Sequence, residues 1–306
     1  MRNPRSRLTS VALPALALTL VWPAGAQQFS DWSQPVHLGA TVNSTSDDSG
    51  SFISKDGLRL YFNSTRPGGF GGLDIYVSQR ASVHDSWESP VNLGPTINSS
   101  FNEQTSAISP DGHRLYFASD RPGGFGGLDL YVSRRHDKRD DFGWGSPVNL
   151  GAGVNSLEPE LGPAILDEEE AETEAVTLYF ARGGVGARDI YVSTLGADES
   201  FGPAVRVAEL SGSFDDARPS IRRDGLEMFF DSNRPGTAGL ADIWVSTRAT
   251  TSDPWSPPVN VGSLNSAALD ARPSLSFDGR SLYFHSGRAG GLGAFDIFVS
   301  TRSKVP

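Results

Sequence analysis

The sequence predicts an all-β protein: a five-bladed β-propeller of four-stranded antiparallel blades, its ring closed by pairing the N-terminal strand with the C-terminal blade. Three observations carry this prediction. One segment recurs five times, as "WSQPVHLGATVNS" (32–44), "WESPVNLGPTINS" (87–99), "WGSPVNLGAGVNS" (144–156), "FGPAVRVAELSGS" (201–213) and "WSPPVNVGSLNSA" (255–267). A second segment recurs in step with it, as "SKDGLRLYFNSTRPGG", "SPDGHRLYFASDRPGG", "RRDGLEMFFDSNRPGT" and "SFDGRSLYFHSGRAGG", each followed by "DIYVS" or a close variant; the third copy is degenerate. The 306 residues also carry 34 glycines and 20 prolines with no apolar stripe at helical spacing, the signature of short strands joined by tight turns. Self-similarity at such a period marks radially repeated units, each unable to bury its apolar face alone.

The second copy shows the four strands of a unit in order. "SAIS" (106–109) is short and small-residued, as an innermost strand must be, and "PDG" is a hairpin turn whose glycine tolerates positive φ. "RLYFAS" has too many consecutive apolar residues for a one-faced strand and is predicted to be buried on both faces. "LDLYVS" follows across a glycine-rich loop, and "SPVNL" gives the outermost strand. The chain opens with an outermost-strand segment and closes after a third strand, "FDIFVSTR", so one blade is split between the termini. Trp32–Leu38 then completes the blade that carries residues 270–302 and leaves no open sheet edge.

Residues 1–26 read as a signal peptide: a basic "MRNPRSR", an apolar "LTSVALPALALTLVW" and a small-residue "AGA" ahead of Gln27. Residues 27–306 then form a single propeller domain, periplasmic or secreted, without membrane insertion and monomeric. Losing Arg2, Arg5 and Arg7 takes the formal charge from −10 to −13, which argues against nucleic acid as a partner. There is no cysteine, so disulfides and thiol chemistry are excluded, and no two of the five histidines have metal-ligand spacing.

"SPDGHRLYFAS" followed by "DLYVS" resembles the WD-repeat-like propeller repeat of TolB-type periplasmic proteins, over essentially all of the mature chain. The resemblance implies a fold rather than an activity. The N-terminal domain of TolB itself and the peptidoglycan-binding domain often fused to such repeats have no counterpart in these residues.

The loops "STRPGGFGGLDIYVSQR" (64–80) and "SDRPGGFGGLDLYVSRR" (119–135) are flanked by strands on both sides, whereas a phosphate cradle needs a helix N-terminus. They are therefore permissive connections. Each carries an Arg followed seven or eight residues later by an Asp: Arg66 and Asp74, Arg121 and Asp129, Arg182 and Asp189, Arg234 and Asp242, Arg288 and Asp296. An Arg fork gripping a carboxylate across each loop would fix its shape. Phe70 and Phe125 at two loop tips are aromatic surface that could stack on a sugar. A second register holds Asp48, Glu103, Glu160, Asp216 and Asp270, one carboxylate per blade at the start of the innermost strand, expected at the channel mouth on the glycine-loop rim. Arg218 and Arg272 follow two of these acids and would offset their charge; calcium would suit the rest, and otherwise no cofactor is expected. The insert "DEEEAETE" (167–174) replaces the third "PDG" turn and is expected to project from the opposite rim.

These features predict a non-enzymatic exported binding or scaffold propeller whose channel mouth takes an envelope protein, peptide or glycan. The alternative is a glycoside hydrolase-like five-bladed propeller acting on a polysaccharide. Against the enzyme stands symmetry, because acid and base need unlike environments and one equivalent acid per blade suggests equal ones.

Overall fold

A computed structural model describes residues 27–167 and 176–305. Residues 1–26, read above as a signal peptide, and the acidic insert beyond Asp167 lie outside the described residues. The described residues form twenty strands and no helix. They make five four-stranded antiparallel sheets: β2–β5, β6–β9, β10–β13, β14–β17, and a last sheet in the order β1-β20-β19-β18. In the second blade these are β6 (Glu103–Ile108), β7 (Arg114–Ser119), β8 (Asp129–Arg134) and β9 (Val148–Asn149).

The ring closes as the sequence predicts. β1 (Val36–His37) pairs with β20 (Asp296–Thr301), Val36 opposite Val299 and His37 opposite Phe298. Phe29 bridges Lys304 beyond it, and Trp32 packs edge-on against Phe229 of the preceding blade at 5.8 Å. The second strand of each blade is the expected two-faced core element: Leu115, Tyr116 and Phe117 are consecutive and all buried. Their opposite faces supply different inter-blade clusters, Tyr116 packing toward the third blade and Leu115 and Phe117 toward the first.

Two expectations shift. The outermost strand contracts to two residues, Val148–Asn149, since Pro147 before it has no N–H to donate to the ladder. The innermost strand begins three residues before "SAIS", at Glu103, because a β-bulge lies within it: Gln104 faces Ala118 but Ala107 faces Tyr116. The same bulge occurs in β2 (Asp48–Ile53), β10 (Glu160–Asp167), β14 (Asp216–Ile221) and β18 (Asp270–Leu275). At each bulge one residue takes positive φ: Gly50, Thr105, Gly162, Arg218 and Arg272. Three of the five are not glycine and accept the cost of that conformation.

Candidate functional site: the axial cavity

The five repeat acids are structural. Asp48, Glu103, Glu160, Asp216 and Asp270 each open an innermost strand and are fully buried. In four blades a serine four residues earlier donates both its backbone N–H and its hydroxyl to the acid, as Ser44 does to Asp48 at 2.6 and 2.9 Å. The remaining lone pairs take the loop arginines. Arg66 bonds Asp48 at 2.6 Å, Arg121 bonds Glu103 at 2.9 Å, Arg182 bonds Glu160 at 2.8 Å, Arg288 bonds Asp270 at 2.7 Å, and Arg234 grips Asp216. Each guanidinium also donates to a backbone carbonyl of the preceding loop, Val42, Ile97, Val154, Leu210 or Leu264. It lies over two aromatic rings as well; for Arg121 these are Phe117 at 5.3 Å and Tyr131 at 5.2 Å. Burial pushes the Glu160 carboxyl above its ordinary range, with Ser156 and Arg182 opposing.

These contacts correct the expected pairing of Arg66 with Asp74, Arg121 with Asp129, Arg182 with Asp189, Arg234 with Asp242 and Arg288 with Asp296. The second acid of each expected pair instead holds its own loop. Asp74 accepts the N–H groups of Phe70 and Gly71, Asp129 that of Phe125, Asp242 those of Ala238 and Gly239, and Asp296 those of Leu292 and Gly293. Asp189, whose loop lacks the motif, takes Arg206 bidentately at 2.6 and 2.9 Å. The loop glycines make this possible by close approach: a Cβ on Gly69, Gly124 or Gly291 would lie 2.2, 1.5 or 2.0 Å from the capping carboxylate.

The acid ring is corrected too, as a ligand or calcium site: it is sealed from solvent, each member is gripped by a guanidinium, and none lines the axial cavity. Among the described residues no group of three or more His, Asp or Glu could hold a metal ion. Phe70 and Phe125 are exposed on the glycine-loop rim, 48% and 47%, and neither lines the axial cavity.

The cavity lies along the propeller axis on the opposite side. Its volume is about 310 Å³, and it runs from the layer of bulge residues to the hairpin turns that join the first and second strands of the blades. Two chance-looking positions of the sequence form its floor. Arg272 crosses the channel to donate to Ser49 Oγ at 3.3 Å and Gln104 Oε1 at 3.2 Å in the first and second blades. Arg218 lies against Gly162 and donates to Asp231 at 2.9 Å. Neither guanidinium bonds the acid ring, which corrects the expectation that they offset it. Space for both is made by glycine: a Cβ on Gly50 would stand 3.2 Å from Arg272 Nη1, and one on Gly162 would stand 2.7 Å from Arg218 Cα.

The floor carries excess positive charge. Asp231 is its one close carboxylate, salt-bridged to Arg218 and accepting the Arg272 backbone N–H at 2.9 Å. Arg188 nearby is consumed by Asp215. Burial, and then repulsion from Arg218, drives the Arg272 guanidinium well below its usual pKa; burial lowers that of Arg218. His285 behind them is pushed well below the usual imidazole value by burial and by both arginines, so it is neutral. In a chain of net charge −10, among the described residues eight lysines and arginines line the cavity against three aspartates. At the mouth the Phe277 ring lies between Lys55, at 4.5 Å, and Arg223, at 4.7 Å.

No protein-family model matches this sequence, and no curated protein matches it. Solved structures share its fold. The α-L-arabinofuranosidase from Lactobacillus brevis superposes with a TM-score of 0.59 at 14% identity, over 87% of this chain and 94% of that one. A thermostable family-43 glycoside hydrolase gives 0.55 at 12% identity, over 87% and 91%. The endo-arabinase from Bacteroides thetaiotaomicron gives 0.52 at 16% identity, over 90% and 98%. The expectation of a non-enzymatic binding or scaffold propeller gives way here, because these like-folded chains are glycoside hydrolases and favour the enzymatic alternative.

Proposed function

We propose that the protein is a glycoside hydrolase-like enzyme that acts on a polysaccharide at its axial cavity, exported by the leader read in residues 1–26. The observation that carries the proposal is the near full-length likeness of this ring to arabinofuranosidase and arabinase propellers. The axial cavity supports it: about 310 Å³ is at the lower end of the range of small-molecule sites, which start at roughly 300 Å³. Hydrolysis of a glycosidic bond needs two carboxylates in unlike surroundings. The repeat acids are excluded from that role by their burial, and this also removes the symmetry objection, since the acids that matter need not be repeat positions.

Among the described residues, two carboxylates break the repeat near the cavity. Asp167 lines it at the end of β10. Asp231 stands directly behind Arg218, where the other blades have Asn63, Ala118, Ala181 and His285, but it is buried like the repeat acids and held by Arg218 and the Arg272 N–H, so it orients the floor rather than meeting substrate. Asp56 and Asp111 also line the cavity but serve their hairpin turns. Burial alone would raise their pKa values; bonds from Ser54 and Leu58, and from Ser109 and His113, instead hold both below the ordinary carboxylate range and so unsuited to donate a proton at neutral pH. Release of reducing ends from arabinan, xylan, galactan and uronate-containing polysaccharides tests the proposal. At least one substrate is expected to be cleaved, with Asp167→Asn slowing cleavage by about 10²- to 10⁴-fold at unchanged melting temperature. No cleavage of any of them by folded protein, or full activity in Asp167→Asn, would overturn it.

A further inference from the structure

We propose that Arg218 and Arg272 form an oxyanion-binding floor to the axial cavity, which takes the carboxylate or phosphate group of an acidic, sugar-sized ligand. The inference shares with the hydrolase proposal the cavity as ligand site, but it requires no bond cleavage.

Four observations converge on it. The two guanidiniums stand at the same bulge position of adjacent innermost strands, β14 and β18, so they project from neighbouring blades into one channel. Among the described residues Arg272 has no carboxylate at salt-bridge distance from its guanidinium, and its side-chain bonds are two long ones to neutral groups. Its Nε and that of Arg218 have no protein partner. A buried cation left in that state is costly, and replacing it by an apolar or neutral residue is commonly stabilising. The arrangement also involves four of the five bulges together: two arginines are accommodated by two glycines, Gly50 and Gly162, whose missing side chains leave the room. Above the floor, Ser51 and Ser106 line the cavity with hydroxyls that have no protein partner, and Thr105 Oγ1 accepts the Gly162 N–H, which leaves its own proton to donate. A planar guanidinium fork below and hydroxyls around it are the complement of a sugar ring that carries an acidic group.

The same chemistry would be met by a uronic acid or by a sugar phosphate, and binding measurements separate the two. Calorimetric titration with galacturonate, galactose, galactose 1-phosphate and inorganic phosphate is compared between the protein and its Arg272→Gln and Arg272→Lys variants. At least one acidic sugar is expected to bind ten-fold or more tightly than galactose; galacturonate as the tighter identifies a carboxylate ligand, and galactose 1-phosphate a phosphate one. Arg272→Gln is expected to abolish the preference while raising the melting temperature of the unliganded protein or leaving it unchanged, and Arg272→Lys to retain part of the preference. Equal binding of acidic and neutral sugars, no binding of either acidic sugar, or an acidic preference that survives in Arg272→Gln would overturn the proposal. A fall in melting temperature with the preference retained would make Arg272 a packing residue. Failure of the hydrolysis assay leaves these outcomes unaffected, and failure here leaves cleavage of neutral polysaccharides standing.

Discussion

At the scale of single residues, the protein separates two uses of charge. The repeat acids and loop arginines are paired, buried and stacked, whereas Arg272 is left with neutral partners in a cavity. The first use makes a stability prediction. Removing Arg121 leaves Glu103 as an uncompensated buried charge, a change that typically costs about 3–5 kcal/mol. Arg121→Ala with Glu103→Gln should therefore show a coupling of about 0.5–3 kcal/mol in denaturant unfolding, whereas Arg121→Ala with Asp129→Ala should be additive within about 0.5 kcal/mol. The reverse pattern would restore the pairing across the glycine loop. Sequence alone could not choose between these partners. The arginine lies 18 residues beyond its true partner in four blades and 22 in the third, a spacing as regular as the one to the loop Asp. Periodicity cannot rank two equally periodic acids; the folded loop decides, because its own N–H groups claim the nearer one.

At the scale of elements, the glycine loop and the bulged inner strand do different work. The loop is a self-capped turn, and Gly124 has to be glycine because a Cβ would occupy the space of the Asp129 carboxylate. Gly124→Ala is accordingly expected to destabilise by about 1–3 kcal/mol through overpacking, with unfolding in urea as the measurement. A neutral effect would mean that Asp129 does not cap the loop. The strands themselves were legible in the sequence: "RLYFAS" is the buried β7, and "DLYVS" lies in β8. The bulge was not, since nothing in "EQTSAIS" or "DARPSLS" marks which residue takes positive φ. That one unread feature hid the cavity. Arg218 and Arg272 were visible as departures of two copies from the repeat, but their direction into the channel follows from the bulge.

At the scale of the whole molecule, closure and axis are the two facts that matter. Closure rests on Phe29 to His37 completing the last blade, and the sequence revealed it because the repeat is cut at the same point at both ends. Deleting residues 27–38 should expose β20 as an open edge and remove the Trp32 contact with Phe229, so cooperative melting should be lost or the protein should aggregate. An unchanged melting curve would refute the closure. The axis carries the functional claim, which moves the site from the glycine-loop rim to the hairpin rim. Hydrogen exchange with the best-binding acidic sugar at saturation tests that claim most directly. The predicted result is slowed amide exchange confined to the cavity-lining segments 50–56, 105–112, 162–167, 218–223 and 272–277. Slowed exchange in the loops around Phe70 and Phe125, or none in the cavity segments, would contradict it.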